Sequence, residues 1–319
     1  MTYCAPRWLR GGHCQTIYSY FLGRAPACTY HRERWETPDG DFIDLDWLSQ
    51  PGSSNLVVLF HGLEGCSRSQ YALSLMNELR RSGWSGVVPH FRGCSGTANR
   101  LERAYHSGDS AELDWILRRL RSTSAAARLY VVGVSMGGNV LLKWLGEQGA
   151  DALAVVARAA AVSTPFNLAV AARRLDRGWN RLLYTRHFLR TLKRKALAKV
   201  DAHGLALDRR GLRAAATFRE YDDVYTAPVH GFKDAEDYWT QSSCMSWLQS
   251  IEVPTLLINA RNDPFYPGDA LPAEAEVSAA VFLEYSATGG HVGFVSGGFP
   301  GRFDWLSGRI LNFFRAESF

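Results

Sequence analysis

The chain has 319 residues, 46% of them hydrophobic, and a net charge of +5. That composition supports a packed core and excludes a disordered chain, and the charge is too mild to imply nucleic acid without a zinc-finger spacing, recognition-helix pattern or RNA-binding signature, none of which occurs. The six scattered cysteines form no CxxC pair, and neither the N-terminal MTYCAPRWLRGGHCQ nor the stretch 150–162, interrupted by Asp151 and Arg158, offers an apolar segment of signal-peptide or membrane length. The expectation is a cytoplasmic chain with reduced thiols, no metal cage and no disulfide framework.

Residues 1–29 read as a preamble, with Arg10 to Ile17 leading into the aromatic Tyr18, Tyr20 and Phe21 as a short helix. Tyr30 to Glu36 and Phe42 to Leu48 flank the turn-rich Thr37-Pro38-Asp39-Gly40-Asp41, which predicts a hairpin, though the alternation in Phe42, Asp44, Asp46 and Leu48 leaves its register open. From Leu56 the pattern becomes α/β. Leu56 to Phe60 and Gly86 to Phe91 read as strands. Gln70 to Arg81 and Asp109 to Arg121 read as helices, the second opened by Asp109 and Glu112 at capping-box spacing.

Leu129 to Val134 is a short apolar, β-branched run that stops at Gly133-Val134-Ser135-Met136-Gly137-Gly138, after which Val140, Leu141, Trp144 and Leu145 recur at helical spacing. A strand, a tight turn and a helix centred on a serine with glycines at minus two and plus two can force that serine into a strained conformation with its hydroxyl exposed. The turn also opens a helix, whose free N–H groups suit an oxyanion. Leu153 to Val162 reads as the next strand. Between Thr164 and Ile251 the alternation lapses, and Ala169 to Leu212 reads helical. Strands resume at Pro254 to Asn259 and Ala279 to Tyr285, and a helix near Phe303 to Phe314 closes the chain. Alternating strands and helices imply a mostly parallel sheet covered on both faces, with ligands beyond the strands' carboxyl ends.

A nucleophilic serine needs a base and an orienting acid from loops at the same sheet edge. Asp263 follows the strand Thr255 to Ala260, and His291 follows Val281 to Tyr285 in Gly289-Gly290-His291-Val292-Gly293. The order Ser135, Asp263, His291 is that of the α/β hydrolases. Ser95, in Gly93-Cys94-Ser95-Gly96, lacks the second glycine and a following helix and is held as loop. Beside the Met136 N–H, a second oxyanion donor should come from the loop His61-Gly62-Leu63-Glu64-Gly65 after LVVLF, and the Leu63 N–H is the candidate. His61 is expected to shape that loop and not to carry protons.

The chain resembles the YheT-like α/β hydrolases, a bacterial group related to eukaryotic membrane-lipid hydrolases, in GGHCQTI, HGLEGCSRSQY, HFRGCSG, HSGDSAELDWIL, VGVSMGGNVLLKWLGE, TAPVHGF with DYW, VPTLLINARNDPF and GGHVGF. The resemblance covers almost the whole length and assigns the charge relay to Ser135, Asp263 and His291. It implies ester hydrolysis more firmly than any particular ester. Asn262 stands where many relatives carry an acidic residue, but Asp263 fills the catalytic slot.

The expected architecture is a single α/β-hydrolase domain over 1–319, with a helical lid over about 166–250. Its expected activity is that of a serine carboxyl-ester hydrolase on short- to medium-chain or lipid-like esters, without cofactor or metal. A thioesterase or acyltransferase would use the same triad, and a ligand-binding protein without turnover would use the same fold. Between Arg173 and Arg213, thirteen basic residues stand against three acidic ones, and Leu175, Trp179, Leu182, Leu183, Leu189 and Leu192 fall near one helical face. Such an element either covers the active site with its charges solvated or meets anionic lipid. The oligomeric state is not legible.

Overall fold

The computed structural model describes residues 3–23 and 26–316. Eight strands form one sheet: β1 (His31–Glu36), β2 (Phe42–Leu48), β3 (Asn55–Phe60), β4 (Ser85–Pro89), β5 (Arg128–Val134), β6 (Arg158–Val162), β7 (Thr255–Ala260) and β8 (Val281–Ser286). They lie in the order β1-β2-β4-β3-β5-β6-β7-β8, antiparallel at β1-β2 and β2-β4 and parallel from β4 to β8. The early helices are α1 (Gly12–Leu22), α2 (Gln70–Arg81), α3 (Ser110–Thr123) and α4 (Met136–Gln148), and Trp305–Arg315 closes the fold.

Successive side chains of a strand point to opposite faces, so each central strand feeds two cores. Leu56, Val58 and Phe60 of β3, with Leu129 and Val131 of β5, pack against Leu113, Ile116, Leu141 and Trp144 of α3 and α4. Val57 and Leu59, with Tyr130, Val132 and Val134, pack against Leu75, Met76 and Leu79 of α2 and Ile310, Leu311 and Phe314 of the closing helix. This two-sided burial is why β3 and β5 read as unbroken apolar runs.

The hairpin forms with His31 opposite Trp47 and Glu36 opposite Phe42. Its weak alternation has a cause. β2 runs between β1 and β4, and its buried Asp44 and Asp46 each take a bidentate arginine, Arg34 and Arg32, from the facing position of β1. Two details differ from the sequence expectations. The strand expected over Leu153 to Val162 begins only at Arg158. Gly149–Ala154 is instead a helical turn closed by Val156 N–H to Ala152 O, because the chain must reverse after α4 before it can pair with β5 at Tyr130. At α3, Asp109 accepts the Glu112 N–H at 3.4 Å, but the Glu112 carboxylate turns away to the buried Arg92 at 2.5 Å, so only half of the capping box is made.

Between β6 and β7 the chain builds a helical cap with its own core. Leu175, Leu189, Leu212, Phe218, Tyr221 and Trp239 are among its buried members, and the cluster reaches the main body through Phe265, Leu63 and Ile17. The helical run breaks at Asp176 and Arg177, then continues through Gly178–Asn180 and a wide π-turn at Arg181–Thr185 into Arg186–His203. Cys244 and Leu248 return to the main core. Among the described residues no helix is long and apolar enough to cross a membrane.

Candidate active site

Ser135 joins β5 to α4 at φ 54°, ψ −118°, a conformation that costs a non-glycine residue energy and must be imposed by its surroundings. The glycines allow it. A Cβ on Gly137 would stand 2.4 Å from Phe60 O and 2.6 Å from His61 O, and one on Gly133 would stand 2.5 Å from Gly137 O. The elbow is therefore packed tightly against the end of β3.

His291 Nε2 lies 3.0 Å from Ser135 Oγ, and His291 Nδ1 lies 2.8 Å from Asp263 Oδ2. The Asp263 side chain is 1% exposed and that of His291 10%. Asp263 Oδ1 accepts the Phe265 N–H at 2.7 Å, and the Phe265 ring stacks on the imidazole at 4.0 Å with 16° between planes. With Nδ1–H committed to a buried carboxylate, Nε2 presents its lone pair to the serine hydroxyl. The three residues singled out in the sequence thus form one hydrogen-bonded line at the carboxyl edge of the sheet.

The loop after β3 abuts Ser135, since a Cβ on Gly62 would stand 3.2 Å from the Ser135 Cβ. Gly62 N–H donates to Tyr71 Oη at 2.9 Å and Glu64 N–H to Tyr105 Oη at 3.2 Å, while no hydrogen bond among the described residues engages the Leu63 N–H between them. Met136 opens α4, so its N–H has no partner within the helix. His61 is fully buried. Its Nδ1 donates to Gly62 O and its Nε2 accepts the Phe91 N–H, and burial pushes its pKa down to about 3, so it stays neutral and braces the loop. Ser95 donates to Asp44 Oδ2 at 2.6 Å, which occupies its hydroxyl in the β-hairpin region. Among the described residues no group of three or more His, Cys, Asp or Glu side chains is gathered as a metal site, and all six cysteines are unpaired.

Set beside known proteins, residues 55–297 match the family model described as alpha/beta hydrolase fold. The chain belongs to the α/β-hydrolase family. It is 39% identical to the Escherichia coli protein named putative esterase YheT, over 93% of this chain and 88% of that one. It is 30% identical to mouse phospholipase ABHD3, over 99% of this chain and 78% of that one. Among solved structures, the Pyrococcus furiosus esterase Pf2001 superposes with a TM-score of 0.56 at 16% identity, covering 90% of this chain and 92% of the other, a likeness of fold.

The hydrolase fold holds its histidine loop with residues to which the sequence reading gave no such role. Thr16 Oγ1 accepts the His291 N–H at 2.8 Å and donates to Gly12 O. Gln15 Oε1 accepts the Gly289 N–H at 2.9 Å and an Asn262 amide N–H at 3.0 Å, and Asn262 Oδ1 accepts the Gly290 N–H at 3.0 Å. Ser163 Oγ accepts the Val292 N–H at 3.0 Å. Asn262 therefore ties acid loop, histidine loop and α1 together, a neutral role for its amide. α1 fits so closely that a Cβ on Gly12 would stand 1.9 Å from Asn262 O. The adjacent Gly11, Gly12, Gln15 and Thr16 were the available signal, since paired glycines before polar helix residues mark close backbone approach.

Proposed function

We propose that the chain is a serine hydrolase of carboxylic esters that works through an acyl-enzyme. The observation that carries this is the Ser135–His291–Asp263 line; the Leu63 and Met136 N–H groups are its proposed oxyanion donors. Ser135 Oγ attacks the ester carbonyl while His291 takes its proton, and the oxyanion is held by the two N–H groups. The imidazolium, steadied by Asp263, returns that proton to the departing alcohol. Water then attacks the acyl carbonyl through the same histidine, and the acid leaves as Ser135 regains its proton.

An apolar acyl chain suits the surroundings, because Phe265, Leu63 and Ile17 join the apolar cluster of the cap above the site and the cap acts as a lid. The names of similar proteins support this class: a phospholipase in mouse, and a medium-chain fatty acid ethyl ester synthase/esterase in Saccharomyces cerevisiae at 30% identity over 81% of this chain and 61% of that one. The unpaired thiols favour a reducing, cytoplasmic setting.

Labelling with a fluorophosphonate probe tests the assignment. The wild type should label, Ser135→Ala should not, and Ser95→Ala should label as the wild type does. A folded wild type that resists the probe would sink the catalytic reading in favour of a ligand-binding one.

A further inference from the structure

The apolar residues of the cap divide into two sets. Leu175, Leu189 and Leu192 are buried in the cap core, whereas Trp179, Leu182 and Leu183 stand 72%, 60% and 42% exposed. The end of α1 adds three more, Tyr20, Phe21 and Leu22, at 65%, 70% and 56%. The two groups adjoin: Tyr20 Oη lies 3.3 Å from His187 Nε2, its ring is 5.9 Å from the His187 ring, and it meets Phe21 edge-on at 4.9 Å. Single exposed leucines need no explanation, but six large apolar side chains brought together by two separate elements form a patch.

The two stretches that supply the patch carry charge of one sign. Neither residues 1–32 nor residues 177–200 contain an Asp or Glu. Arg177, Arg181, Arg186 and Arg190 are exposed, and none of the ion pairs among the described residues involves them. Arg181 donates through Nε to Ala216 O and its charge also bears on Asp176, so among the described residues the three that face no carboxylate are Arg177, Arg186 and Arg190. The lysines of the same helix behave differently. Lys193 turns to the carbonyls of Arg213 and Ala215, Lys195 to Glu64, and Lys199 to the carbonyls of Leu101 and Arg103. The helix thus directs lysines to the protein and arginines to solvent.

The patch is also coupled to the catalytic line. Tyr184, next in the chain after Leu183, has its ring 4.6 Å from Phe265, which stacks on His291, and its hydroxyl lies 3.0 Å from Nδ1 of His13 in α1. We propose that this surface docks the protein on an anionic lipid bilayer, with Trp179, Leu182, Leu183, Phe21 and Leu22 at the acyl boundary and the arginines on the headgroup phosphates. Aromatic and aliphatic side chains bordered by arginine match an interface that is apolar at depth and anionic at its surface. An acidic protein partner would engage the arginines without requiring the apolar set. The assignment deepens the hydrolase reading by placing its ester in a lipid phase, yet the docking itself does not need turnover.

Flotation with phosphatidylcholine vesicles, with and without phosphatidylglycerol, tests it on the full chain carrying Ser135→Ala. The protein should float with the phosphatidylglycerol vesicles at low salt and leave them as salt rises. Two variants, one with Trp179→Ser, Leu182→Ser and Leu183→Ser and one with Phe21→Ser and Leu22→Ser, should each lower partition about tenfold or more. In the Ser135 background both should hydrolyse a soluble p-nitrophenyl ester at the parental rate, which also certifies their folding. Absence of binding to anionic vesicles overturns the proposal. So does binding that survives both apolar variants, which would reduce the surface to a polyanion contact. Vesicle binding by a chain that hydrolyses no ester would leave the docking intact and count against the hydrolase reading alone.

Discussion

Thr16 lies 275 positions before His291, yet its hydroxyl is the acceptor for the His291 N–H and is itself anchored on Gly12 O. A histidine that must shuttle a proton between Oγ and a leaving alcohol loses efficiency if its backbone drifts by a fraction of an ångström. Thr16→Val keeps the shape and deletes the acceptor, leaving a part-buried N–H unpaired at a cost of about 1–3 kcal/mol. The expected result is a fall in kcat of about tenfold with little change in KM, as for a positioning residue. Thr16→Ser should restore the rate. Steady-state kinetics on a soluble ester decide it, and equal losses in both variants would refer the effect to packing.

At the scale of elements, the cap and the body meet where the loop after β3 turns. Glu64 follows Leu63 at a positive φ of 56° and accepts from Lys195 Nζ at 2.8 Å and from Tyr105 Oη at 2.7 Å. The long cap helix therefore holds the residue next to the proposed oxyanion donor in a conformation that it would not adopt unaided. The pair is only partly exposed, so its value is in geometry more than in stability. Lys195→Met should lower kcat about tenfold through a loosened loop, leave the melting temperature within a few degrees of the parent, and be largely rescued by Lys195→Arg. A variant with unchanged kcat would show that the loop keeps its shape without the cap.

For the whole molecule, the least comfortable buried group is Asp222, enclosed in the cap core with Thr226 Oγ1 at 2.6 Å and Trp239 Nε1 at 2.8 Å. Burial pushes its carboxyl up to about 7, against the two donors, which favour the anion. The folded chain thus keeps a proton that the unfolded chain releases near the ordinary carboxylate pKa of about 3.9. Stability from this group is complete below about pH 4, declines as pH rises towards 7, and is then constant. Asp222→Asn, neutral at every pH, should raise the melting temperature by a few degrees at pH 8 and by much less at pH 4 to 5. Thermal melts at the two pH values test this, and an identical shift at both would remove the titration from the account.

The central strands, the elbow and the meeting of Ser135, Asp263 and His291 in one hydrogen-bonded line were legible because each depends on local chemistry. β3 and β5 announce two-sided burial by unbroken apolar runs, Ser135 by its flanking glycines, and Asp263 and His291 by following strands that a parallel sheet ends on one edge. The start of β6 was not legible, since an alanine-rich run serves a turn or a strand equally and only its pairing with β5 decides between them. Nor was the role of α1, because Gln15 and Thr16 reach residues more than 240 positions away, and no periodicity records contacts of that separation. The cap is the clearest case. Helical spacing identified Leu175, Trp179, Leu182, Leu183, Leu189 and Leu192 as one apolar set, but the break at Asp176–Arg177 and the π-turn at Arg181–Thr185 re-aim its parts, so that some are covered by neighbours and the rest face solvent. Periodicity reports that a side chain is apolar and where it lies on its own helix; what it lies against is a property of the packed chain.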